Sequence, residues 1–220
     1  MTPMDGLIIA VPRGALFSDT LDLLDRLGRD TSEVRANDRK LLFTDIGVIT
    51  MRPSDVPTYV EAGAADLGIT GKDVLLEQAG PNAGRAARAL YELYDLDYGR
   101  CEMVLATVAG DPDPAAEALR RLGVVRVATK YPRIAAAHLE GSGRQAEIVE
   151  VKGSVELAPL AGLAEAIVDL TATGTTLREN NLVIREHIAT ATARLIANPV
   201  AHKVKAKAID ELLEVLRAEL

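Results

Sequence analysis

The stretches SDVPTYVEAGAADLGIT (residues 54–70) and SVELAPLAGLAEAIVD (residues 154–169) share one plan. Each opens on a serine of the kind that caps helices and runs through a short helix-like segment. Each then reaches Gly-x-Ala-acid: Gly63-Ala64-Ala65-Asp66 in the first and Gly162-Leu163-Ala164-Glu165 in the second. Each ends on an apolar strand, Leu67 to Thr70 or Ala166 to Asp169. A second matched pair lies upstream of both. Leu7 to Val11 is an apolar run halted by Pro12-Arg13-Gly14, after which Leu16, Phe17, Leu21, Leu24 and Leu27 recur at near-helical spacing. Val124 to Thr129 is likewise halted by Lys130-Tyr131-Pro132-Arg133, before the helix-forming residues 134–139.

The pattern predicts an α/β protein built as a quasi-repeat of two lobes. Alternating strands and helices imply a mainly parallel sheet in each lobe, with ligands at the carboxyl ends of strands. Lobe I is expected over residues 1–96 and 182–220, and lobe II over 97–181. Arg13, Gly71-Lys72-Asp73, Lys130-Tyr131 and the Asp169–Thr176 segment would line the crevice between them. Final strands are expected at Leu182–Ile188 and Thr190–Ala197, ahead of Asn198-Pro199 and an amphipathic helix over Val200–Leu220.

Composition narrows the function. The 220 residues are 48% apolar, enough for a substantial core. No apolar run approaches the roughly 20 residues of a membrane span, and Asp5 and Pro12 interrupt what would be a signal-peptide core, so a cytoplasmic protein is expected. Net charge is −7, with five tyrosines, two phenylalanines and no tryptophan, which argues against a nucleic-acid surface. The single Cys101 forms no intrachain disulfide, and His138, His187 and His202 lack metal-ligand spacing, so no protein-held metal is expected.

At the end of the second repeat the chain reads DLTATGTTLREN, residues 169–180. A strand ending on Asp169 that enters Thr171-Ala172-Thr173-Gly174-Thr175-Thr176 offers backbone N–H groups and hydroxyls to one point, a nest for an anion. Gly174 permits close approach or positive φ. The preceding carboxylate can accept hydrogen bonds from ribose hydroxyls. A plain strand-to-helix turn with a threonine cap would use the same residue types.

AIVDLTATGTTLREN resembles the phosphoribosyl pyrophosphate loop of the ATP phosphoribosyltransferase family, which begins histidine biosynthesis. RPSDVPTYVEAGAADLGITGKDVLLE (52–77), RKLLF (39–43), RVATKYP (126–132) and GSVELAPLAGLAEAIVDL (153–170) are similar to further blocks of that family in the same order. The resemblance covers nearly the whole chain. It implies a two-lobed fold like type II periplasmic binding proteins, with the active site in the interlobe crevice. One departure is Pro12-Arg13-Gly14-Ala15-Leu16, where members commonly show Pro-Lys-Gly-Arg-Leu, so a second cation is missing. Arg13 preserves the first charge with a different shape.

By that resemblance N1 of ATP attacks C1 of phosphoribosyl pyrophosphate and pyrophosphate leaves, with Mg²⁺ accompanying the substrates. Arg39 and Arg13 are the candidates for stabilising the leaving group. Asp169, alone or with Glu165, would hold ribose, and Thr171 to Thr176 its 5′-phosphate. Arg52, Gly71, Lys72, Asp73, Lys130, Tyr131 and Glu156 are candidates for ATP. Each has a plainer reading: Arg39-Lys40 as a solvated strand edge, Arg52 as an ion-pair partner of Asp55, Gly71-Lys72-Asp73 as a helix start, Tyr131 as a half-buried aromatic and Glu156 as a helix face. The alternative function is a small-molecule-binding or non-catalytic regulatory module of the same fold. No further βαβ pattern follows residue 220, so the resemblance is to short members, which implies a homodimer joined by a histidyl-tRNA-synthetase-like regulatory subunit.

Overall fold

The computed structural model describes residues 6–79 and 90–219. Its strands are β1 (Ile9–Pro12), β2 (Leu42–Phe43), β3 (Val48–Met51), β4 (Leu67–Gly71), β5 (Tyr91–Asp95), β6 (Cys101–Val108), β7 (Val125–Thr129), β8 (Ala146–Glu150), β9 (Ala166–Thr171), β10 (Leu182–Ala191) and β11 (Ala193–Ala197). Its helices are α1 (Phe17–Arg26), α2 (Ser32–Ala36), α3 (Val56–Glu61), α4 (Lys72–Gln78), α5 (Pro114–Leu122), α6 (Pro132–Gly141), α7 (Leu157–Leu160), α8 (Thr175–Glu179), α9 (Pro199–Val204) and α10 (Ala206–Glu219). Among the described residues no helix is long and apolar enough to cross a membrane.

The chain divides into two compact units, residues 1–75, 81–99 and 192–220 in the first and 76–80 and 100–191 in the second. Their sheets have one topology. The first runs β2-β3-β1-β4-β11-β5 and the second, read from its far edge, β8-β7-β9-β6-β10. In the first, β3, β1 and β4 are parallel while β11 and β5 alternate antiparallel beyond them. In the second, β8, β7 and β9 are parallel, with β6 and β10 alternating in the same way. Among the described strands only β2 lacks a counterpart.

The repeat extends to single hydrogen bonds. In the first unit the Asp66 N–H donates to the Ile8 carbonyl (2.9 Å), and the Ile8 N–H donates to Asp66 Oδ2 (2.8 Å). In the second, the Glu165 N–H donates to the Arg126 carbonyl (3.0 Å), and the Arg126 N–H donates to Glu165 Oε2 (2.8 Å). Each acid thus clamps the start of its strand to the neighbouring parallel strand. Just upstream, α3 and α7 end alike: the Ala64 N–H donates to the Tyr59 carbonyl and the Leu163 N–H to the Ala158 carbonyl, around Gly63 and Gly162 at φ 75° and 71°.

Strand residues alternate between two apolar layers because helices cover both faces. Ile9, Val11 and Leu195 join Leu21 and Leu24 of α1 and Ile209, Leu212 and Leu216 of α10, while Ala10 and Ile196 meet Val56 and Val60 of α3. In the second unit Val127 and Val168 pack with Ala135 and Leu139 of α6. On its other face Ala128 and Ile167 pack with Ala158 of α7 and Leu177 of α8.

Three expectations are corrected. The sheets are mixed rather than mainly parallel, because the strands that carry the chain from one unit to the other and back (β5 and β6, then β10 and β11) pair antiparallel. The boundary expected at 181/182 lies at Ala191/Thr192, since all of β10 is hydrogen-bonded to β6. The expected helix over Val200–Leu220 is two helices interrupted at Lys205, whose ammonium bonds the Gly6 carbonyl and Asp66 Oδ2.

Candidate active site

In the second unit three of the proposed residues come together at the carboxyl ends of β7 and β9. Burial pushes the Asp169 carboxyl above its usual range; its neighbour's N–H (Leu170, 2.8 Å) and the Lys130 ammonium work against that, and the Glu156 carboxylate adds to it. A half-buried acid with one cation and one further acid acting on it suits an acceptor for a neutral polyol or a proton. Glu156 reaches this point because it immediately precedes the short α7.

The loop after β9 turns at Gly174, which has φ 70°. A side chain with a Cβ is disfavoured in that conformation. The Gly174 N–H donates to Thr171 Oγ1 (2.9 Å), while the hydroxyls of Thr173 and Thr175 share a 2.9 Å bond. The N–H groups of Ala172, Thr173 and Thr176 carry no hydrogen bond among the described residues. Three free amides and a pair of hydroxyls on one exposed turn suit an anionic oxygen cluster.

Glu165 does not belong to this group. It precedes the first residue of β9, about 20 Å along the strand from Thr171 at the usual rise. Its Oε1 also accepts from Arg126 Nε at 3.0 Å. Burial works to raise its pKa, but the Arg126 side chain and backbone N–H prevail and hold it low. The acid is structural. Tyr131 is corrected as well: it is 6% exposed and packs in the core against α6, with the Lys130 ammonium 4.9 Å from its ring centroid, so its ring offers no face to adenine.

In the first unit Arg13 follows β1, and its guanidinium is engaged. Nε donates to Thr50 Oγ1 (3.0 Å), Nη2 donates to the Lys40 carbonyl (2.9 Å), and Nη1 lies 3.9 Å from Asp38. Arg13 therefore anchors the loop that carries Arg39. The same loop is turned by Asn37 Oδ1, which accepts from the N–H groups of Arg39 and Lys40. The Arg39 side chain is exposed and has no hydrogen bond or ion pair among the described residues. Arg52 is equally open, and the ion pair to Asp55 is not formed. Lys72, the first residue of α4, is ion-paired with Glu92 at 2.6 Å, and Asp73 folds its carboxylate over Gly71.

Two contributors escaped the sequence reading. Asn37 positions Arg39, and its signal was the Asn-Asp-Arg turn before a strand. Arg178, one turn beyond Gly174, lies over the loop: Nη1 donates to the Thr173 carbonyl (2.9 Å) and Nη2 to Thr175 Oγ1 (3.0 Å). A cation four residues after the turning glycine was its signal.

The ATP phosphoribosyltransferase family model matches residues 52–218. The ATP phosphoribosyltransferase of Rubrobacter xylanophilus is 51% identical over 212 residues, which cover 96% of this chain and 94% of the relative. That of Halothermothrix orenii is 43% identical over 220 residues, covering 96% and 92%. Among solved structures, a chain of the ATP phosphoribosyl transferase (HisG:HisZ) complex from Thermotoga maritima superposes with a TM-score of 0.77 at 34% identity, covering 96% of this chain and 97% of that one. Tv2483 bound to L-arginine, at 16% identity, TM-score 0.58 and coverage of 97% and 86%, shares the fold alone. With a family model spanning most of its length, relatives above 40% identity over nearly all of it, and the threonine loop set beside a half-buried strand-end acid, the chain belongs to the ATP phosphoribosyltransferase family.

Proposed function

We propose that this chain joins N1 of ATP to C1 of phosphoribosyl pyrophosphate and releases pyrophosphate, the opening step of histidine biosynthesis. The observation that carries the proposal is the second-unit cluster: half-buried Asp169 with Lys130 and Glu156, beside a turn whose free amides and hydroxyls suit a phosphate.

The bond from C1 to the pyrophosphate oxygen breaks as the bond from N1 forms, in line, with inversion. Adenine N1 brings its own lone pair, so no strong base is required. The chain's work is to hold two polyanions in line and to stabilise charge growing on the leaving group. Asp169 accepts from the ribose hydroxyls, and Thr171 to Thr176 hold the 5′-phosphate. Arg39, free and solvent-facing on a loop fixed by Arg13 and Asn37, supplies positive charge to the departing pyrophosphate; Arg13 acts by positioning it. Arg52, Lys72 and Lys130 remain the cations for ATP, with Gly71, Asp73 and Glu156 around them. Among the described residues no group of three or more potential ligands could cage a metal ion. Mg²⁺ would arrive on the substrate phosphates and neutralise charge on the leaving group.

The Thermotoga maritima complex motivates a regulatory partner, a histidyl-tRNA-synthetase-like subunit joining a homodimer of this chain in the cytoplasm. Incubation with ATP, phosphoribosyl pyrophosphate and Mg²⁺ is expected to yield the N1 adduct and stoichiometric pyrophosphate. Tight binding of either substrate with no adduct would favour the binding-module reading instead.

A further inference from the structure

We propose that Arg178 is a phosphate-binding residue of the loop, specific for the 5′-phosphate end of the ribose substrate; this rests on the loop reading above. Amides and hydroxyls alone present only partial charges, and a phosphomonoester near neutral pH carries close to two negative charges. In the turn from Thr171 to Thr176 there is no charged side chain at all. Arg178 supplies the missing cation. Its guanidinium bridges Gly174, bonded to the Thr173 carbonyl and Thr175 Oγ1, and Nη1 lies 3.0 Å from where a Cβ at residue 174 would stand. Those two bonds use two of five donors, so Nε–H and one N–H on each terminal nitrogen stay available. Its side chain is exposed and in no ion pair among the described residues, unlike Arg126 and Arg144 in the same unit.

The bridging geometry also brings Arg178 to the hydroxyl pair. Thr175 Oγ1 accepts from Arg178 while sharing a bond with Thr173 Oγ1, so a phosphate oxygen taking the hydroxyls sits within one side-chain rotation of the guanidinium. A planar fork meets two phosphate oxygens at once, which an ammonium does not.

Calorimetry in Mg²⁺ with three probes separates the roles: phosphoribosyl pyrophosphate, ribose 5-phosphate and inorganic pyrophosphate. Arg178→Gln, which removes the charge and leaves a shorter amide with two donors, is expected to weaken the first two by roughly tenfold or more and leave pyrophosphate unchanged. Arg178→Lys is expected to recover part of the loss. Equal weakening of all three probes together with a lowered Tm would make Arg178 a structural brace and overturn the proposal. If Arg178→Gln binds like wild type while Asp169→Asn weakens phosphoribosyl pyrophosphate, Arg178 alone is wrong. If neither variant weakens binding, the loop reading fails and takes this inference with it.

Discussion

Replacing Asp169 by asparagine should separate binding from stability in opposite directions. The side chain keeps its size, and an asparagine oxygen can still accept the Leu170 N–H, so local geometry persists. What disappears is a charge held at a site where burial raises the carboxyl pKa above its ordinary 3.8. An acid with a raised folded pKa opposes folding once ionised. The opposition is absent below the unfolded value, grows as pH rises through the folded pKa, and is fully present near neutrality. Asp169→Asn therefore removes a burden, and its Tm at pH 7 is expected to equal or exceed that of wild type, with the difference vanishing in acid. Binding moves the other way. Loss of a charged acceptor for ribose hydroxyls costs about 1–3 kcal/mol, or roughly 5- to 150-fold in Kd for phosphoribosyl pyrophosphate. Titration calorimetry and thermal unfolding on the same preparation test both halves. Wild-type affinity, or a Tm lower by several degrees, would refute the assignment of Asp169 as a desolvated ligand acceptor.

Glu165→Gln is expected to do the reverse: affinity unchanged, stability at pH 7 lower by about 1–3 kcal/mol because a charge-assisted clamp on β7 is lost. Since the Glu165 pKa is held below its ordinary 4.5, that stabilisation is present above this value and disappears as pH falls through the folded pKa, so wild type and variant should converge in acid denaturation. Gly174→Val places a β-branched residue at φ 70°, costing about 1–2 kcal/mol and closing the turn against Arg178; ligand binding should be abolished in a folded protein, as circular dichroism and calorimetry would report. Arg39→Ala should lower kcat by more than it raises KM, because the charge it faces grows in the transition state; a rise in KM alone would make it a ground-state contact. Histidine should not inhibit this 220-residue chain alone, and inhibition should appear when the partner subunit is added; strong inhibition without it would place the effector site within the chain.

Much of the architecture was readable without coordinates. The strand–basic loop–helix units at Leu7–Leu27 and Val124–Leu139, the Gly-x-Ala-acid turns and the threonine loop are local patterns of apolar period and turn chemistry, and each segment folds as its pattern dictates. Strand direction was not readable, because β6 is as apolar as the parallel strands and β10, an edge strand carrying Arg185, Glu186 and His187, has no pattern that fixes its sense; only pairing sets it. Nor could the sequence rank its two acids. Glu165 and Asp169 stand four residues apart in one family-like block, yet one is neutralised by Arg126, 39 residues away, and the other stays half-buried with the Lys130 ammonium and the Glu156 carboxylate acting on it in opposite senses. Tyr131 likewise changed from a candidate stacking ring to a core residue when α6 closed over it. The chain's local order determines which backbone forms and where a turn can hold an anion. Which side chains remain free to meet a ligand depends on partners that are brought alongside only when the sheets assemble, and electrostatic fields and burial act through space rather than along the chain.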